Sequence, residues 1–597
     1  VVVLQRIAMA AIAAPRRILA IAALVMIGCA VFGIPVARHL SAGGFQDPTS
    51  ESAQATKLLV DKFGQGDMQL LISVTDGQSS AGAQSREAKA VGADIEAALK
   101  ASPYVADVTS AWTAPSTAAP ALISEDGKTG LIVAGITGGE SEAQTHAKSL
   151  TDQLVHDRDG VTVKAGGEAM TYVQINGQSE KDLLTMESIA IPVTFVVLVW
   201  VFGGLLAAAL PLMVGVFGIL GSMAVLHAIT YVTDVSIFAL NLSVALGLAV
   251  GIDSTLLIIS RFRDELADGR DRDSALVRTM ATAGRTVLFS ATTVALSMVA
   301  MVMFPMYFLK SFAYAGVATV VFAALAAVVV TPAAIVVLGD RLDSLDVRRL
   351  LRRVFGRPEP ARKPLEENFW YRSTKFVERR AIPVGLAVVA LLLVLGAPFL
   401  GIKWGFPDDR VLPQSLSTRQ VGDQMRNDFA VDSARNVSVV IPDTTGIRPA
   451  DLDRYATALS QVPDVSSVSA PGGTFVDGRP VGPPSAATGL KDGSAFLTVA
   501  STAPLFTDAS EAQLDRLRAV STPAGQPVQL TGVAQINRDS SEAITSRLPL
   551  VLGVIAVITF VLLFLLTGSV VLPLKALVLN VLSLTAAFGA LVWIFQD

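Results

Sequence analysis

The chain has 597 residues, of which 52% are hydrophobic and 16% charged, with a formal net charge of -4. Soluble domains carry about 25% charged residues, so these figures point to a membrane protein and exclude a basic nucleic-acid-binding surface. One cysteine, Cys29, and four scattered histidines leave no intramolecular disulfide and no metal-ligand spacing.

A helix needs roughly 20 apolar residues to cross a bilayer. In chain order, such runs occupy 18–37, 188–206, 208–229, 235–260, 286–306, 311–338, 382–401, 548–567 and 572–594. The predicted order is therefore residues 1–37 with the first span, a polar stretch over 38–187, and five spans over 188–338. A basic linker over 339–381, a seventh span over 382–401, a second polar stretch over 402–547 and two spans over 548–597 complete it. Arg6, Arg16 and Arg17 before the first span, Arg261 to Arg285 after the fourth, and Arg348 to Arg380 in the linker fall on one side of the membrane. The Lys/Arg bias makes that side, and the N-terminus, cytoplasmic. Both long polar stretches are then exterior.

The first span has an internal twin, which argues against a cleaved signal peptide. Arg16-Arg17 returns as Arg379-Arg380, Gly33-Ile34-Pro35 as Gly396-Ala397-Pro398 and Gly44-Phe45 as Gly405-Phe406. Gln174-Ile175-Asn176 returns as Gln535-Ile536-Asn537, and Leu210-Pro211-Leu212 as Leu572-Pro573-Leu574. The offset stays between 361 and 363 positions. The chain thus reads as two parallel copies of one unit, an arrangement used by transporters. The second copy stops where the first begins its fourth span, so three further spans, the tenth to the twelfth, are expected to be absent.

Each polar stretch reads as mixed α/β. Strands are predicted at Met68–Thr75, Tyr104–Ala111, Thr129–Ile136 and Val161–Ala165, with helices near 84–100 and 140–155. The second stretch repeats this with strands at 435–441, 464–469, 495–501 and 527–531 and helices at 450–461 and 508–520. Both follow the order βαββαβ. The Gly- and Pro-rich segment 471–490 reads as a surface loop. Neither stretch carries a catalytic motif, so no enzyme activity and no cofactor are expected.

Within the fourth span, Gly247-Leu248-Ala249-Val250-Gly251-Ile252-Asp253-Ser254-Thr255 puts an acid near mid-membrane. Asp253 precedes Arg261 by eight residues, about 12 Å of helix. An acid at that depth costs at least ~2.5 kcal/mol to insert, and by default marks an ion path. The alternative is a structural acid hydrogen-bonded to neighbouring helices. Gly247 and Gly251 are spaced for close helix packing. Ser254, and Ser290 and Thr293 on the fifth span, offer hydroxyls to support a relay. Ordinary back-bonding to helix carbonyls is the competing reading for the last two. The segment 261–285 reads as a helix with solvated charge pairs.

Together these residues resemble the MmpL-type (mycobacterial membrane protein large) transporters of the resistance-nodulation-division (RND) superfamily. The resemblance rests on Gly43-Gly44-Phe45-Gln46-Asp47-Pro48, Gly251-Ile252-Asp253, Ser260-Arg261-Phe262-Arg263-Asp264-Glu265 and Gly284-Arg285-Thr286-Val287. It implies a polytopic helical protein with an RND-type pseudo-repeat and two exterior porter-like domains. It also implies inner-membrane export of lipids or other amphipathic envelope molecules, driven by protons, with small accessory membrane proteins as partners. Asp253 matches the family's proton-relay acid. Ser254 stands where the family often places Tyr, which departs from a paired Asp-Tyr relay. The competing functions are a drug-efflux pump of the same superfamily, a translocation-accessory or sterol-sensing membrane protein, and an inactive remnant.

Overall fold

The computed structural model describes residues 2–116, 118–339, 341, 369–402 and 405–596. Most of the expected basic linker over 339–381 lies outside them. A short apolar helix, α1 (Val2–Ala13), precedes α2 (Pro15–Gly33), with Pro15 at the first turn. Proline fits there because its missing N–H would have no intrahelical partner.

The first exterior region opens with α3 (Glu51–Phe63). Ser50 Oγ caps it by accepting the Ala53 N–H, and Gly64 ends it at φ 63°. Then follow β1 (Met68–Thr75), α4 (Arg86–Ala101), β2 (Val105–Ser110), β3 (Thr129–Ile136), α5 (Gly139–Leu154) and β4 (Thr162–Gly166). The sheet order is β2-β3-β1-β4, antiparallel throughout. Strand alternation splits β1 between two layers. Leu70, Ile72 and Val74 join Val91, Ile95 and Leu99 of α4 in one core, while Leu71 faces the other side.

Helix α6 (Gly167–Phe202) rises directly from this domain into the span region as one 36-residue helix. It ends at Gly203, whose φ is 83°. The second span therefore stops before the predicted 206, because only a glycine tolerates that turn readily. Next come α7 (Leu205–Thr230), α8 (Phe238–Ala267) and α9 (Arg272–Thr279). A π-turn over Met280–Gly284 joins α9 to α10 (Arg285–Val299), and α11 (Tyr307–Leu338) follows. Helices α7, α8 and α11 form the packed centre of the bundle. Beyond the linker lie α12 (Phe369–Arg379) and α13 (Ala381–Gly396).

The second exterior region contains α14 (Ser417–Asp428), β5 (Val437–Ile441), α15 (Pro449–Leu459), β6 (Val465–Ala470), β7 (Gly473–Val476), β8 (Arg479–Gly482), β9 (Gly489–Lys491), β10 (Ser494–Ser501), α16 (Asp508–Ala519) and β11 (Gln529–Thr531). Its sheet runs β11-β5-β10-β6-β7-β8, with β9 beside β10. The predicted loop over 471–490 is instead three short strands. Asp477 and Gly478, at φ 46° and 78°, turn β7 into β8 (the Asp-Gly signature of a tight hairpin). Helices α17 (Val533–Thr567) and α18 (Val571–Phe595) complete the described chain. Among the described residues, nine helices are long and apolar enough to cross a membrane.

The two exterior domains exchange a helix. Leu71 and Leu131 of the first sheet pack on Val421, Met425 and Phe429, at and just beyond α14. Val440 and Phe496 of the second sheet pack on Ala55 and Leu59 of α3. Each sheet thus has its second face covered by the other copy's helix. The repeat mates Phe45 and Phe406 also meet, with ring centroids 5.8 Å apart.

Candidate functional site: an interdomain cavity above an intramembrane acid

A cavity of about 430 Å³ lies between the two exterior domains. Leu71 of β1, Tyr172 of α6, Met425 of α14, Phe506 and Ile536 of α17 give it apolar walls. Arg410, Arg426 and Arg435 also line it, and each is neutralised locally. Arg410 pairs with Asp408 at 2.6 Å and Arg435 with Asp432 at 3.2 Å. Arg426 grips Asp409 with two nitrogens, at 2.9 and 2.6 Å, and reaches Asp423 at 2.7 Å. Such forked pairs fix side-chain geometry as well as charge.

Glu140 and Glu168 also line the cavity. Glu140 sits at the start of α5. Its two oxygens accept the Gly44 N–H at 3.0 and 3.1 Å, and Oε2 accepts the Tyr307 O–H at 3.0 Å. Burial pushes the Glu140 carboxyl above its ordinary range; these two donors oppose that rise, and the nearby Asp234 adds to it. The glycine pair before Phe45 follows from this contact. A Cβ on Gly43 would lie 1.9 Å from Glu140 Oε1, and one on Gly44 2.5 Å from the Tyr307 ring. Tyr307 O–H also lies 3.2 Å from Ser41 Oγ, which accepts from Gln144 Nε2 at 3.0 Å. One carboxylate therefore joins the first exterior domain, the strap after the first span and the start of α11. Glu168 is exposed to the cavity and has no hydrogen-bond or ion-pair partner among the described residues.

A second recess of about 510 Å³ is wide and open, and its lining is charged. Its Glu51–Arg518 pair, at 2.9 Å, and Asp47–Arg547 pair, at 3.5 Å, tie the two chain halves together, so it reads as a salt-bridged seam.

Asp253 lies on α8 in an exposed stripe with Asn241, Ala245 and Ala249, spaced one turn apart. Its orientation follows from the opposite face of the helix. There Gly247 and Gly251 cross α7, and a Cβ on Gly251 would lie 2.5 Å from Gly215 N. Ser254 is buried on the bundle side. Thr293 Oγ1 donates to the Phe289 carbonyl at 2.9 Å, and Ser290 is exposed on α10. Neither hydrogen-bonds Asp253 among the described residues. Ser222 and Ser243 meet at 2.8 Å inside the bundle.

At the end of α8 opposite the sheet domains, the expected solvated charge pairs are instead half-exposed arginines gathered on one buried carboxylate. The Glu265 side chain is only 1% exposed, with Arg261 at 2.6 Å, Arg270 at 2.7 Å and Arg278 at 3.5 Å. Arg263 donates to the Phe202 carbonyl at 3.3 Å, covering the C-terminus of α6 with positive charge.

The family model described as "MMPL family" matches residues 44–384 and 411–597. The chain belongs to the MMPL family. Among curated relatives, the trehalose monomycolate exporter MmpL3 of Mycobacterium tuberculosis is 29% identical over 96% of this chain and 62% of its own length. Putative membrane protein SCO6666 of Streptomyces coelicolor is 33% identical over 80% of this chain and 63% of its own. The mycolic acid-containing lipids exporter MmpL11 of Mycolicibacterium smegmatis is 29% identical over 70% and 42% respectively. The chain thus spans about 62% of the MmpL3 relative that it matches.

The Glu140 and Glu168 pair was not among the residues that the sequence singled out. An acid in the first turn of a helix is common, because it offsets the helix dipole. The one signal was indirect: the Gly43-Gly44 pair encloses Glu140.

Proposed function

We propose that this MMPL-family chain acts in proton-driven export of lipids or other amphipathic envelope molecules across the inner membrane, with its N-terminus in the cytoplasm. The observation that carries the reading is the interdomain cavity. It joins apolar walls to paired charges and the unpartnered Glu168 carboxylate, the surface an amphiphile with a polar head requires. The lipid exporters named among the relatives support the same substrate class.

Asp253 serves as the proton carrier. A charge falling through 100 mV releases about 2.3 kcal/mol, sufficient for one acid to bias a conformational equilibrium by a useful factor. Its exposed stripe offers a surface on which a further helix can pack, and small accessory membrane proteins are candidate partners. The test is Asp253→Asn, a neutral replacement of nearly equal volume. Membrane insertion and thermal stability are expected to stay unchanged while lipid flux in cells stops. Normal flux in the Asn variant would overturn the assignment.

A further inference from the structure

The helix α12 stands immediately before the seventh span and is unlike its neighbours. None of its residues is buried. Phe369 and Trp370 are 73% and 78% exposed, and Phe376 and Val377 are 53% and 44% exposed. Their spacing of one, seven and eight residues from Phe369 places all four on one face, with Ser373 between them. Arg372, Lys375 and Arg379 lie on the other face, and Arg380 follows at the junction with α13.

The charges are arranged for contact outward. Lys375 pairs with Glu378 at 2.8 Å and lies 6.0 Å from the Tyr371 ring centroid. Arg380 lies over Phe376 at 5.5 Å. Arg372 and Arg379 have no ion-pair partner among the described residues. Four basic residues against one acid, beside an uncovered aromatic face, form a surface that water solvates poorly on one side. Because Ala381 already begins a span, the helix is tethered at the membrane boundary. Aromatic rings favour that layer, and a helix with this polarity lies in its plane.

We propose that α12 is a binding site for anionic phospholipid headgroups. Phe369, Trp370, Phe376 and Val377 enter the boundary between headgroups and acyl chains. Arg372, Lys375 and Arg379 hold phosphate groups above them. The aromatic face alone would accept any bilayer; the unpaired guanidinium groups select anionic lipid. Each basic residue near such a surface strengthens attachment by roughly fivefold.

The test uses the whole chain with Cys29→Ser and a single spin label at Ser373→Cys or Thr374→Cys. Reconstitution is into nanodiscs of phosphatidylcholine, with or without phosphatidylglycerol, and immersion depth is read by power saturation. The label at 373 is expected to be oxygen-accessible and the label at 374 water-accessible. Immersion at 373 should deepen when phosphatidylglycerol is present. Combined Arg372→Gln, Lys375→Gln and Arg379→Gln should abolish that dependence, while Arg372→Lys with Arg379→Lys should retain it, which separates charge from misfolding. Equal water access at both positions in both bilayers would overturn the membrane contact. Immersion independent of phosphatidylglycerol in the unaltered helix would overturn the anionic selectivity.

Discussion

Gly251→Ala should loosen the centre of the bundle. The added Cβ would lie 2.5 Å from Gly215 N and 2.6 Å from Gly215 Cα. Both are backbone atoms of α7, so no rotamer change relieves the clash. Carbon contacts settle near 3.5–4.0 Å, so α7 and α8 must part by about 1 Å. Overpacking of this kind costs about 1–3 kcal/mol. Two further glycines calibrate the expectation. At Gly247 the new methyl meets Ile219 Cγ1 at 2.7 Å, the outer part of a side chain that can shift, so the cost should be smaller. At Gly553 nothing lies within 4 Å, and alanine should stabilise that helix by about 0.5–1 kcal/mol. Thermal unfolding of the purified protein, followed by intrinsic fluorescence, should rank Gly251→Ala below Gly247→Ala and both below Gly553→Ala. Equal melting of the Gly251 and Gly553 variants would refute the packing argument.

Three more perturbations are diagnostic. Glu96 is buried, which disfavours its charge, but Lys100, Ser110 and Thr113 donate to it at 2.5, 2.5 and 2.7 Å and hold its carboxyl below the ordinary range. Its contribution is present above that range and lost as pH falls through the depressed value. Glu96→Gln should cost about 1–3 kcal/mol and flatten the acid limb of the unfolding profile; an unaltered limb would argue against it. Glu265→Gln strips the common partner from three half-exposed arginines, which water then solvates, and should cost about 1–3 kcal/mol, read as faster tryptic cleavage at Arg270. Tyr307→Phe removes a donor that holds the Glu140 carboxyl down, so this raised group should rise further. Because folding then favours the protonated form, stability declines as pH rises through the shifted range, and that decline should move upward. Isotope-edited infrared titration of the carboxyl would show this, and an unmoved midpoint would contradict it.

The parts of this architecture that are local in sequence were readable from it. The βαββαβ order shows in alternating runs such as Met68–Thr75, and the spans show in apolar length. Asp253 stands out because an acid interrupts such a run. Its direction was not readable, since that depends on α7 meeting Gly247 and Gly251. The helices α3 and α14 were missed because their apolar faces are short: Ala55 and Leu59 in one, Val421 and Met425 in the other. Their helical state depends on a sheet hundreds of residues away. The hairpin at Asp477-Gly478 was hidden by Gly and Pro around it, which suggest irregular chain. Around Glu265, alternating charges look solvated until folding gathers three arginines on one carboxylate.

The exchanged helices have a mechanical consequence. A domain that lends a helix to its neighbour cannot drift away as a free body. To separate, the Ala55–Leu59 and Val421–Phe429 contacts would both have to open, exposing the outer faces of two sheets to water. The low-cost motions left to the pair are rocking and twisting about a shared clasp, with the cavity changing shape between them. The same clasp makes the two halves of the chain mutually dependent. If the polypeptide were supplied as two pieces divided between α11 and α12, each piece would carry the helix that the other needs to finish its fold.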